Sequence, residues 1–325
     1  MRLLQGLAAV ALACSHVEAH WPAPGCGLPS FINCQKPLPQ GQKLGGIYNL
    51  SVLTSGLDRS YLISIPPCYT SRPATPVILS YHGGTRNASY QLELDKFTNP
   101  EFNRLAIVVY PQGLDNTWQG IPGASVKAND FQFTSDILDQ IEQAYCIDRS
   151  RIWASGKSDG GGFCNQLACD PVLSKRIAAF APVSGAFYVD TLPCNANTVS
   201  LPCNPGRPNI PLLDIHGGND TTISYDGGAR KNECLPAIPH FVQQWALRDH
   251  LSLDNRTTYI TNDTRLYSYG DRNEAGLVSH ILDESIGHDW PSTLPNADNT
   301  QVDHVLASYN ATPIILGFFK RYPLF

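Results

Sequence analysis

Apolar residues fall in short unbroken runs through the middle of the chain. PVILSYHGG (76–84), LAIVVYPQG (105–113), RIWASG (151–156), IAAFAPVSG (177–185) and PLLDIHG (211–217) are each bounded by glycine or proline. Runs of this length predict strands covered on both faces. YLISIPPCY (61–69) alternates polar and apolar residues and predicts a further strand, while the segment before it reads as loop. Elsewhere the period lengthens. In DFQFTSDILDQIEQAYC (130–146), Phe133, Ile137, Ile141 and Ala144 share one helical face. Helices are also expected over 159–170, 240–250 and 313–322, and RLYSYG (265–270) with LVSHILD (277–283) as a hairpin or neighbouring strands. Strand alternating with helix implies an α/β chain with a mostly parallel central sheet and helices on both faces.

The length of 325 residues allows a large buried core, and no repeat or low-complexity spacer divides it. A net charge of -5, with no basic cluster interleaved with aromatics, argues against nucleic-acid binding. The first 19 residues carry one early positive charge, an apolar stretch too short to span a bilayer, and small residues up to Ala19. We read 1–19 as a secretory signal peptide and 20–325 as a single catalytic domain with a loop-rich start. No later segment suggests a membrane anchor, so an extracellular location is expected.

Ten cysteines suit an oxidising compartment. Losing Cys14 with the signal leaves nine, an odd number that requires at least one thiol outside an internal disulfide. No C-x-x-C pair favours zinc. Cys194 and Cys203 flank a proline-rich loop and are candidates to close it locally. Six N-x-S/T sequons, at Asn49, Asn87, Asn219, Asn255, Asn262 and Asn310, fit a glycosylated secreted chain.

SGKSDGGG (155–162) carries the chemistry. Its Gly-Lys-Ser resembles the end of a phosphate-binding loop, but that motif requires glycine where this chain has Arg151, and the intervening Ile152-Trp153-Ala154-Ser155 reads as strand. The alternative is G-x-S-x-G, a turn from strand to helix that exposes a serine nucleophile, here Ser158. A serine hydroxyl needs a base, and the base needs an orienting acid, which follow such an elbow in the order acid then histidine. Asp220, just past the strand 211–217, is the expected acid, with Asp226 second and Asp214 inside the strand. His288, in the loop SIGHDWPS, is the expected base ahead of His240, His250, His280 and His304. Backbone amides must hold the oxyanion, one from Asp159 and another from Gly84 or Thr85 after the early His82-Gly83. No metal or cofactor is implied.

YHGG, YPQG, GKSDGGGF, IAAFAPVSGAFY, DIHGGND and GHDWP together resemble secreted fungal feruloyl esterases of the polyhydroxybutyrate-depolymerase-like group, in carbohydrate esterase family one. The resemblance runs from about Leu44 to the C-terminus. It implies an α/β-hydrolase fold, a Ser158-Asp220-His288 triad and hydrolysis of feruloyl or other hydroxycinnamoyl esters on plant cell-wall arabinoxylan. Depolymerases of this group often carry cysteine where this chain has Gly84. Trp118 and Trp290 are candidates to wall an aromatic acyl pocket. Acetylxylan or polyester hydrolysis is the alternative within esterases, and a glycan-binding fold without turnover is the alternative from another class.

Overall fold

The computed structural model describes residues 34–324 apart from 73, 272 and 273. The expected signal peptide and Cys26 lie outside the described residues.

The elements in chain order are β1 (Ile47–Thr54), β2 (Leu57–Ser64), β3 (Thr75–Tyr81), α1 (Ala88–Asp95), β4 (Ile107–Pro111), α2 (Asp130–Ala144), β5 (Ile147–Lys157) and α3 (Asp159–Cys169). Then come β6 (Ala179–Val183), β7 (Leu212–Gly217), β8 (Gly228–Arg230), β9 (Glu233–Leu235), α4 (Ile238–Arg248), β10 (Asn255–Tyr259), β11 (Thr264–Tyr269), β12 (Val278–Asp283) and α5 (Ala311–Arg321). One sheet has the order β1-β2-β4-β3-β5-β6-β7-β12-β11-β10, and β8-β9 form a separate small hairpin. Strands from β4 to β12 in that order pair in parallel, and two antiparallel strands extend each side.

Successive residues of β3 show why the central runs are continuously apolar. Val77 and Leu79 pack against α2, α3 and α4, where Phe133, Ile137, Phe163 and Trp245 are buried. Ile78 points the other way, into the layer of α1 and α5 with Leu94, Ile315 and Phe319. A strand covered twice has no polar face to display. Each such side chain contributes about 1.5–3 kcal/mol by leaving water.

The polar edges escaped the sequence reading for the complementary reason. β1, expected as loop, is an outer strand that buries only Thr54 fully. β10 is the other edge and all five of its residues are exposed. Pairing to one neighbour, not burial, makes these strands. The short helix α1 also lacks an apolar run; its start is fixed by Asn87, whose side chain accepts the Tyr90 N–H at 2.9 Å.

The expected closure of Cys194 on Cys203 is corrected. Cys203 pairs with Cys169 at the end of α3, and Cys194 with Cys234 in β9. Nearness in sequence did not decide the partners because the loop between them folds along two different elements. A third disulfide joins Cys34 to Cys146, and Cys164, buried in α3, is the free cysteine among the described residues.

Candidate active site

All six parallel strands end on one rim, where open α/β sheets place their functional loops. β5 delivers Ser158 there with φ 57° and ψ -121°, a conformation that L-residues avoid and that the surroundings must enforce. The enforcement is visible: the Ser158 N–H donates to Val183 O at 3.0 Å, and its carbonyl accepts from Gly162 and Ala186. The flanking glycines are needed for close approach. A Cβ on Gly156 would lie 2.6 Å from Gly160 O, and one on Gly160 would collide with Tyr81 O. The Ser158 hydroxyl makes no capping bond to its own helix and faces a cleft of about 530 Å³.

Asp220 and His288 reach the same place from the loops after β7 and β12. One Asp220 oxygen accepts the N–H groups of Thr222 and Ile223 at 2.8 and 2.7 Å, forming its own turn. The other accepts from His288 Nδ1 at 2.7 Å. Asp220 thus forms its own turn and holds His288 at once. Burial pushes the Asp220 carboxyl up, but hydrogen bonds from His216 and His288 outweigh it and hold the group well below the usual range. His288 is pushed down to about 4, first by burial and then by the charge of Lys157, against the pull of Asp220. The ring is thus a neutral base above about pH 5, with Nε2 left to the cleft. Proton transfer needs that ring to close on Ser158 Oγ, a tightening common when substrate seats.

His216, in DIHGGND, was missed. It is fully buried, donates from Nε2 to Ile223 O at 2.8 Å and lies 3.3 Å from Asp220 Oδ2. Its spacing of four from Asp220 was the available signal, but inside an apolar strand it reads as packing. The other candidates stay apart. Asp226 is exposed and outside the cleft. Asp214 binds His280 within the sheet at 2.8 Å, and His240 is bonded to Val199 O. His250 lies two residues past α4 with φ 60°. His304 does line the cleft, bound through Nδ1 to Asp289 at 2.6 Å.

Gly83 lies against the elbow, with the Cβ position 3.3 Å from Ser158 Cβ. The Thr85 N–H, one of two candidate oxyanion donors, is taken by Asn116 O at 2.9 Å. That removes Thr85 and leaves Gly84, whose Cα packs on the Asp159 carboxyl, with the Asp159 amide at the start of α3. His82 is a brace. Its Nδ1 donates to Gly83 O and its Nε2 accepts from Gly113 N–H, while burial pushes it down to about 4.

The two tryptophans are a correction. Trp118 is wholly buried, stacked on Phe163 and donating to His82 O at 2.7 Å. Trp290 is buried against Phe97 and bonds Thr312. Neither lines the cleft; both support loops that do. Indoles beside glycine-rich loops fill the space that those small residues leave, so their position in sequence was a poor guide to exposure.

No protein-family profile matches the chain. It is 30% identical over 208 residues to a probable feruloyl esterase C of Aspergillus flavus, covering 60% of this chain and 69% of that one. It is 27% identical over 223 residues to a bifunctional acetylxylan esterase/xylanase of Neocallimastix patriciarum, covering 66% of this chain. The chain spans 29% of that relative's length and 31% of a feruloyl esterase B of Piromyces equi. Among solved structures, acetyl xylan esterase from Aspergillus awamori superposes with a TM-score of 0.55 at 15% identity, over 75% of this chain and 94% of the other, which shows a shared α/β-hydrolase fold. With the elbow, the order of acid and histidine, and the relatives in agreement, the chain belongs to the fungal feruloyl esterase family.

Proposed function

We propose that this chain is a secreted serine esterase that hydrolyses hydroxycinnamoyl esters of plant cell-wall arabinoxylan. The observation that carries the reading is that Ser158 and His288 line one cleft beside Gly84 and Asp159, with the buried Asp220 bonded to His288 Nδ1 behind it. In the first step His288 Nε2 takes the Ser158 proton as Oγ attacks the ester carbonyl. Asp220 holds Nδ1–H and stabilises the imidazolium, and the amides of Gly84 and Asp159 receive the oxyanion. Collapse expels the alcohol with the proton from His288, leaving an acyl-serine. Water then attacks, giving its proton to the same ring, and the acid leaves as Ser158 is restored. Support for the substrate comes from family membership, and for secretion from the disulfides and cysteine count.

One observation favours a second reading, removal of acetyl groups. The two indoles expected to clasp an aromatic acyl group are buried, and polar groups such as Asn116, Gln301 and Asp298 line the cleft. A panel of methyl ferulate, acetylated xylan and short polyesters, with fluorophosphonate labelling of Ser158, tests both. Labelling with preference for ferulate is expected; preference for acetate transfers the assignment, and no labelling at Ser158 removes it.

A further inference from the structure

Lys157 is the part of the elbow that ester hydrolysis leaves unused. It stands directly before the nucleophile, yet its side chain is 9% exposed and ends 2.9 Å from Asp298 Oδ2, itself 2% exposed. Removing two charges from water is costly, and an apolar pair would hold the same space without that cost. The partners of Asp298 show what the charge is for. Its Oδ1 accepts the Tyr90 hydroxyl at 2.9 Å, and its Oδ2 accepts the Trp290 N–H at 3.0 Å. Trp290 is two residues after His288, so the pair spans from the residue before the nucleophile to the loop that carries the base.

The charged surroundings are asymmetric. His288 faces Asp220 and His216 from β7 and its loop, and Lys157 from β5. Lys157 faces Asp298 and, further off, Asp289 with its partner His304, while Arg86 and Tyr90 close the same end of the cleft. Lys157 thus bears on the imidazole from β5, held in place by Asp298, while Arg230 and Lys231 line the cleft opposite with Asp159.

Resting on the esterase reading above, we propose that Lys157 is a positioning residue: its ion pair with Asp298 ties the nucleophile elbow to the loop that carries His288, and this tie sets how far into acid Ser158 stays activated. Burial and this charge act in the same direction on His288, which is pushed down to about 4. A base weakened in this way still accepts the serine proton at a pH where an ordinary histidine is already protonated.

The test is the rate of fluorophosphonate labelling at Ser158 against pH, because it needs no choice of natural substrate. In the wild-type protein the acid limb is expected near pH 4. K157M removes the cation and moves the limb up by on the order of one pH unit. D298N leaves the cation untempered and moves it down. K157R keeps the limb at its wild-type place. At their optima K157M and D298N label about tenfold more slowly, the loss expected when the reacting groups lose alignment. A merely structural pair would lower thermal stability in both variants without moving the limbs in opposite directions. Limbs unchanged in both, with wild-type labelling intact, overturn this inference alone. Absence of wild-type labelling overturns the esterase reading and this inference with it. Should one variant fail to fold, NMR titration of His288 in the other beside the wild-type protein decides: a midpoint displaced in the stated direction by on the order of one pH unit supports the proposal, and an unchanged midpoint overturns it.

Discussion

Two histidine–aspartate pairs join β7 and β12 or the loops that follow them, and only one has its histidine on the cleft. His280 and Asp214 are register partners within β12 and β7, bonded Nδ1 to Oδ2 at 2.8 Å. His288 and Asp220 come from the loops that follow those strands, bonded in the same way at 2.7 Å. The difference lies at the other ring nitrogen. His280 Nε2 is 3.0 Å from the Tyr225 hydroxyl, and its ring is stacked between Tyr225 and Tyr267. His288 Nε2 has no such partner, and His288 lines the cleft that Ser158 also lines. A hydrogen-bonded carboxylate therefore does not define a general base; a nitrogen with room for a proton from outside does.

The largest test of this contrast is His288→Ala, which should lower kcat for any accepted ester by about 10³–10⁴-fold while thermal unfolding stays near wild type. If His280→Leu gave that loss instead, the assignment would move one turn into the sheet. Gly84→Ala comes next. Its Cβ would strike the Asp159 carboxyl, so that side chain or the Gly84 loop must shift, and if the Gly84 amide receives the oxyanion a fall of up to about 10²-fold in kcat with a smaller change in KM is expected in steady-state assays.

His280→Leu should leave activity of the folded enzyme within several-fold. It should instead cost about 3–5 kcal/mol in denaturant unfolding, because the buried Asp214 loses its partner and already has one oxygen without a hydrogen bond. The smallest effect belongs to Trp118→Phe. Losing the bond to His82 O should cost about 1 kcal/mol in the same measurement. KM for methyl ferulate should change less than about twofold; a large rise would return Trp118 to the acyl pocket.

The elbow was legible because it is local. Gly156, Ser158 and Gly160 must be neighbours for the turn to close, and the strand and helix around them carry their own periods. The order of acid and histidine narrowed the partners to three aspartates and five histidines. What singled out Asp220 and His288 was loop position, since a side chain inside a doubly covered strand has no route to a cleft. The same rule hid His216, which sits in β7 and still touches Asp220, because the Asp220 turn bends back over the strand end.

By itself the sequence determined the sheet's central strands and the strand-to-helix turn that carries Ser158, since these depend on residues within a few positions of one another. Tertiary structure decided the polar edge strands, the cysteine partners, the burial of Trp118 and Trp290, and the engagement of the Thr85 amide by Asn116. Those outcomes depend on what packs against a residue from far along the chain. A pattern read along one strand contains its own period but not the identity of the surface that will cover it.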